Sequence, residues 1–169
     1  ALKQKFIFKG LKMGNPDNED TFYDGTFIKT DKNEKHYIDG LKDDGKVLLY
    51  AGTKYHLSNW YYQNKLDYLF IDEASQIAVA DLISLGGIAK NIILVGDQQQ
   101  LGQPTQGSHP GESKKSVLDY LLENKDTISP ERGIFLNRTF RLHPNINTFT
   151  SENFYEGRLL TNSNNINRK

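Results

Sequence analysis

The 169 residues carry 21 lysines and arginines against 21 aspartates and glutamates, a net charge of zero, with 37% hydrophobic and 25% charged residues. That length fits one ordinary domain with a real core, and the balanced charge argues against a dedicated basic nucleic-acid binder, leaving only local contacts of that kind. The chain contains no cysteine, which excludes disulfide frameworks and thiolate metal sites.

No apolar run reaches the roughly 18–20 residues that span a bilayer. The opening "ALKQKFIFKG" has no signal-peptide core, so a cytoplasmic protein is the default expectation. Residues 1–45 are polar and punctuated by "MGNPDNED", "YDG", "IDG" and "DDG". This spacing predicts hairpins or an irregular, β-rich insertion leading into the core. "DKNEKHYIDGLKDD" looks calcium-like at a glance, but it lacks the glycine and the acidic residue an EF-hand loop needs at its sixth and twelfth positions.

From 46 to 135 the pattern is more regular. "KVLLYAG" (Lys46–Gly52), "DYLFID" (Asp67–Asp72) and "NIILVGD" (Asn91–Asp97) are continuous apolar runs, as expected of strands buried on both faces of a parallel sheet. "SQIAVADLISLGG" between the last two is predicted helical, ending at Gly86-Gly87. Strand, helix and strand make a βαβ unit. A second helix is expected at 116–124, with Val117, Leu118, Leu121 and Leu122 on one face. Gly133–Leu136 suggests a further strand. Pro144 then opens a helix whose Ile146 and Phe149 are expected to face the core, with Gly157 past its end.

Ligands of open parallel sheets bind beyond the carboxyl ends of the strands. Asp72, Glu73 and Asp97 fall at such ends. An aspartate there can hold Mg²⁺, which prefers oxygen ligands and keeps much of its water. The glutamate after it can polarise an attacking water. Gln100 offers a donor and an acceptor on a neutral head, suited to a terminal phosphate oxygen and a water together. The plainer alternative is that Asp72 and Asp97 only cap turns or helices. Arg141, in "RTFRLHP", is placed to stabilise charge on a phosphoryl group or to form a surface ion pair.

"FIDEASQ", "LVGDQQQLGQP" and "FLNRTFRLHPNINTFTSENFYEGRL" occur in that order. They resemble motifs II, III and IV of superfamily 1 helicases of the Upf1/Dna2-like group. "LLYAGTKYHL" resembles that group's short threonine-bearing segment, and "GSHPGESKKSVLDYLLENKDTISPERGIFL" is similar to bacterial members often fused to a RecB-like nuclease. The resemblance covers Val47–Leu160. It implies a partial RecA-like P-loop NTPase fold, α/β with a mainly parallel sheet flanked by helices. Residues 46–135 would be the later half of the first RecA-like domain, and residues 136–169 the start of the second. It also implies ATP and Mg²⁺ as ligands and single-stranded DNA or RNA as partner.

By that resemblance Asp72 belongs to the magnesium site, Glu73 activates water, Gln100 senses the γ-phosphate and Arg141 is an arginine finger. Gly96 and Asp97 belong to the nucleotide site, where Asp97 orients Gln100 or a metal-bound water, or only caps the turn. Phe140 stacks near the adenine or sits in a core. Thr53 touches the nucleic-acid backbone or is part of a plain turn. Gln76 ties motif II to motif III, while Gln98, Gln99 and His143 have no assigned role. His36, His56 and His109 show no metal-ligand spacing.

A phosphate loop, G-x-x-x-x-G-K-[ST], would complete the nucleotide site. No complete copy is present, since Gly45-Lys46 is followed by valine. Motifs V and VI are absent too, so the isolated chain is expected to hydrolyse ATP poorly or not at all. Two readings compete with the motor. A magnesium-dependent nuclease would use Asp72, Glu73 and Asp97 but has no use for "GDQQQL". A non-catalytic nucleic-acid or protein interaction module needs no hydrolysis. An incomplete sheet would also leave an edge through which the chain can dimerise.

Overall fold

A computed structural model describes residues 8–13, 28–31, 47–102, 110–123 and 125–167. Among these are seven strands and four α-helices in mixed order. They fall into two compact units, Ala1–Leu66 with Gly87–Ala89 and Asp67–Gly86 with Lys90–Lys169. The calcium-like stretch lies outside the described residues apart from Asp31.

The first unit contains β1 (Phe8–Met13), β2 (Ile28–Asp31) and β3 (Val47–Ala51) in the order β2-β1-β3. Both pairings of β1 are parallel, with Gly10 opposite Ile28 on one side and Leu49 on the other. A hairpin joins antiparallel strands, so the expected hairpin does not link β1 to β2. The apolar run 46–52 becomes β3 as expected. Short helix α1 (Lys54–Leu57) and a 3₁₀ turn at Trp60–Tyr62 follow. They bury Leu57 and Tyr62 in a small core with Met13 and Ile88. Tyr62 is completely buried and sets its ring edge-on to Tyr50 at 6.5 Å. Burial, then the nearby Tyr61, pushes the Tyr50 phenol above its usual value.

Gly40 and Gly45 do stand at the spacing of a phosphate loop with Lys46 next. Residues 32–46 lie outside the described residues, but Val47 opens strand β3. A phosphate loop runs instead into a helix.

In the second unit, β4 (Leu66–Ile71) pairs with β5 (Ala89–Leu94), both but for their first residues. Asp67 meets Lys90 and Asn91 at one end and Ile71 meets Val95 at the other, so the strands run parallel. Between them, a 3₁₀ turn at Ala74–Gln76 leads into α2 (Val79–Leu85). The expected glycine stop takes another form. Gly86 caps α2 in a right-handed conformation, and Gly87 is needed because a β-carbon there would stand 2.5 Å from Gln63 Oε1.

The strands are not buried on both faces. Leu69 and Ile71 are buried while Tyr68 and Phe70 alternate with them as exposed rings, and Ile92 and Ile93 on β5 are exposed. Helix α3 (Val117–Leu122) buries Val117 and Leu122. It starts at Ser116, whose hydroxyl accepts from Asp119 N at 3.0 Å and donates to its carboxylate at 2.8 Å. Such a reciprocal cap is worth about 1 kcal/mol.

The end of the chain is a β6–α4–β7 crossover. β6 (Arg138–Thr139) and β7 (Leu160–Thr161) pair in parallel, Arg138 opposite Leu160, around α4 (Pro144–Phe154). Gly133–Leu136, expected as a strand, is not assigned to one; the strand begins two residues later, at Arg138. Pro144 does open α4, and Gly157 follows it at φ +72°. Its buried residues, however, are Asn147 and Ser151. Ile146 and Phe149 are 60% and 64% exposed. Leu159 gives each of these buried polar residues a backbone partner: Asn147 Nδ2 donates to Leu159 O, and Ser151 Oγ accepts from Leu159 N, while the buried Asn147 Oδ1 has no hydrogen-bond partner among the described residues.

Candidate functional site: two turns at the ends of β4 and β5

Asp72 and Glu73 leave β4 together. Asp72 is exposed, and its Oδ1 accepts from Glu73 N at 3.0 Å. Glu73 is exposed in the left-handed region, φ 53° and ψ 44°, a conformation that costs a non-glycine residue about 1–2 kcal/mol. Strain of this kind is concentrated at functional sites. It reverses the chain so that Ala74 and Ser75 turn inward and are buried. Ala74 N donates to Val95 O at 2.9 Å and Val95 N to Ile71 O at 2.8 Å, tying this turn to the end of β5.

Gly96 follows Val95. A β-carbon on Gly96 would stand 2.8 Å from Ala74 N and 2.9 Å from Leu118 Cδ1. Only glycine lets β5 end this close to the Asp72–Gln76 turn. That contact and the Ala74–Val95 bond tie the two turns together. Gln76 is exposed, with N donating to Glu73 O, and among the described residues its side chain makes no hydrogen bond to Gly96–Gly102.

The second turn is closed by side chains. Asp97 Oδ1 accepts from Gln99 N at 3.1 Å, and Oδ2 accepts from Gln100 Nε2 at 3.0 Å. Asp97 thus closes the turn and holds the Gln100 amide by hydrogen bonds. A carboxylate only accepts, so the Gln100 amide must present nitrogen to Asp97, which frees Oε1 for an incoming donor. Gln98 and Gln99 reach elsewhere. Gln98 Nε2 donates to the backbone oxygens of Lys125 and Asp126, and Gln99 Nε2 donates to Asp126 Oδ1 at 2.9 Å. They anchor the neighbouring loop.

Sequence reasoning missed Tyr155. Its hydroxyl donates to Asp97 Oδ2 at 2.6 Å across 58 residues. Burial, then the Asp97 hydrogen bond and charge, pushes the phenol well above its usual value. The Tyr155 ring lies 6.2 Å from Phe135, over which the Arg158 guanidinium sits at 4.6 Å. Arg158 in turn donates to Thr127 Oγ1, and Thr127 donates to Glu156 at 2.7 Å. The only sequence signal was the placement of Tyr155 inside "ENFYEGRL".

Arg141 and Phe140 are exposed, Phe140 at 65%. Thr139 Oγ1 accepts from Arg141 N and Leu142 N, fixing this bend before α4. His143 caps α4 with Nδ1 accepting from Asn145 N at 3.2 Å. Thr53 lies in the first unit, exposed, at the start of α1, with its hydroxyl 2.8 Å from His56 Nδ1.

No group of three or more metal-ligating side chains occurs among the described residues. The donor set still fits magnesium held in the manner of phosphate-bound sites, where one or two carboxylates supplement phosphate and water. Asp72 is exposed, with only Oδ1 hydrogen bonded among the described residues. Asp97 does not fit a direct ligand role, because both its oxygens are taken up by Gln99, Gln100 and Tyr155.

The second unit is thus an α/β arrangement with acid-and-amide turns at the carboxyl ends of two neighbouring parallel strands. No family model matches the chain. It is 34% identical over 108 residues to the "DNA replication ATP-dependent helicase/nuclease dna2" of Schizosaccharomyces pombe, covering 63% of the chain and 8% of that protein. It is 35% identical over 96 residues to "Helicase SEN1" of Saccharomyces cerevisiae, covering 56% and 4%. It is 35% identical over 107 residues to "Regulator of nonsense transcripts 1" of Dictyostelium discoideum, covering 59% and 7%. Together these similarities point to the superfamily 1 helicases of the Upf1/Dna2-like group. The chain spans less than a tenth of the length of each of these relatives. No helix among the described residues is long and apolar enough to cross a membrane.

Proposed function

We propose that this chain is the part of an ATP-dependent helicase or translocase that senses and hydrolyses the terminal phosphate, within a partial RecA-like P-loop NTPase fold. The observation that carries this reading is the pair of linked turns, with Asp72 and Glu73 exposed on one and Gln100 oriented by Asp97 on the other. The names of the relatives support it. Residues 46–135 would be the later half of the first RecA-like domain and 136–169 the start of the second, with residues 1–45 leading in.

In this reading Glu73 takes a proton from the attacking water. Gln100 Oε1 accepts from that water, and its second amide hydrogen donates to the terminal phosphate. Arg141 neutralises charge on the transferring group from the bend before α4. Gly96 and Asp97 shape the site, Phe140 offers a face for the adenine, and Thr53 contacts the backbone of a single-stranded nucleic acid. Magnesium beside Asp72 would supply charge neutralisation at the phosphates. The protein is proposed to be cytoplasmic, with a fused or associated nuclease and an edge-mediated dimer of this chain as further proposals.

These 169 residues lack a complete phosphate loop, so the chain alone should show no nucleic-acid-stimulated ATPase. Robust turnover that disappears in Glu73→Gln would overturn that expectation. In a longer protein that supplies the loop, Glu73→Gln should abolish turnover and spare ATP binding. Equal loss of binding would instead make Glu73 structural.

A further inference from the structure

We infer that Tyr155 is a positioning residue for Gln100, acting through Asp97. The inference deepens the proposed function, because it matters to catalysis only if Gln100 is the phosphate sensor. Its geometry is independent of that reading. Asp97 Oδ2 accepts both the Tyr155 hydroxyl at 2.6 Å and Gln100 Nε2 at 3.0 Å. One oxygen therefore holds both donors, and the hydroxyl fixes the direction in which its remaining lone pair meets the amide. Hydrogen bonds to a carboxylate are the stronger kind, so the phenol competes well for this oxygen. Oδ1 is already engaged by Gln99 N, which leaves the carboxylate little freedom to rotate.

Tyr155 is itself held. It is the residue that ends α4, with N donating to Ser151 O at 3.0 Å. Its ring lies beside Phe135, which carries the Arg158 guanidinium. Arg158 also donates to Ile128 O at 3.2 Å. The C-terminal end of α4 is thereby coupled to the orientation of one glutamine. Gln98 and Gln99 are outside this coupling, because their amides are fastened to the 125–126 loop. The three glutamines therefore respond differently to loss of one hydroxyl.

The test is side-chain amide NMR on the full chain, with no nucleotide present. In Tyr155→Phe the ring contact with Phe135 is kept and only the hydroxyl is lost. The Gln100 Nε2 resonances should move by several times more than those of Gln98 and Gln99. An unmoved Gln100, or three glutamines moving together, overturns the inference; the latter means only that the turn has loosened. If Tyr155→Phe does not fold, Asp97→Asn carries the test. Both Gln100 Nε2 and Tyr155 Cζ should then shift, and a shift in only one overturns the inference. A separate outcome bears on the sensor alone: Gln100→Ala leaving the ATPase of a longer, active protein unchanged would remove the sensor while the coupling stands.

Discussion

Asp72–Gln76 leaves β4 through a left-handed Glu73 and a buried Ala74-Ser75 pair, whereas Gly96–Gln100 leaves β5 through a turn closed by the Asp97 carboxylate. The two stretches share a sequence design of apolar run, acid and amide, yet they are fixed by different means. Backbone conformation and small buried residues hold the first, so both of its acids stay exposed to solvent. Side-chain hydrogen bonds hold the second, so its aspartate is committed and one glutamine is left oriented. An acid at a strand end is thus either left exposed or committed to its own turn according to what fastens that turn. Substitutions should act by volume and backbone angle in the first turn and by hydrogen bonding in the second.

The largest effect is expected where the two turns touch. Gly96→Ala drives a β-carbon into Ala74 N and Leu118 Cδ1, and the backbone atom cannot swing away as a side chain would. A loss of about 3 kcal/mol is expected, at the upper end for overpacking. Gly102→Ala is the control, since its nearest neighbour, Ser75 O, is 4.0 Å away. Urea midpoints that fall equally in both variants would show that the close approach does not matter. Next is Asp97→Ala, which strands Gln99 N, Gln100 and Tyr155. About 2 kcal/mol should be lost, discounted for partial exposure. A loss no greater than that of Gln98→Ala would make the two turns alike.

The first turn predicts a gain. Glu73→Gly keeps the left-handed conformation without its steric cost, so stability should rise by about 1 kcal/mol. The proposed catalytic carboxylate is lost in the same change. Thermal or urea unfolding that shows Glu73→Gly less stable than wild type would mean that Glu73 is held by more than its backbone.

The runs that became β3, β4 and β5 could be read in the sequence because continuous apolar residues between polar breaks leave few other options. Helix α4 was legible from Pro144 and Gly157, whose backbone preferences are local. Its buried face was not. Periodicity says that Ile146 and Phe149 share a side of the helix, but what covers that side depends on segments far along the chain. The buried side instead carries Asn147 and Ser151, and Leu159 supplies a backbone partner to one polar atom of each. The exposed Tyr68 and Phe70 follow the same logic, since an apolar run cannot say how many faces of a strand are packed. At the candidate site, the residue types at both strand ends were visible. The division of labour among Gln98, Gln99 and Gln100 was not, because Asp126 and Tyr155, which decide it, lie 27 and 58 residues from their partners.

Tyr155→Phe gives the smallest stability effect and sharpens the comparison through pH. Removing one half-buried hydrogen bond to a carboxylate should lower stability by about 1 kcal/mol near neutral pH. Burial first, then Asp97, raises the phenol above its ordinary value. The folded chain therefore holds this proton more tightly than the unfolded chain, whose tyrosines titrate near the usual value of about 10. For a raised group the stabilisation is complete below the unfolded value and is lost as pH rises through the folded one. The stability gap between wild type and Tyr155→Phe should thus stay level at neutral pH and close only above about pH 10. Glu73→Gly, which touches neither group, should keep its offset from wild type across the same alkaline range. A gap for Tyr155→Phe that widened there instead would mean that the phenolate, not the phenol, is the form held against Asp97, and the second turn would no longer be one closed by donors to a carboxylate.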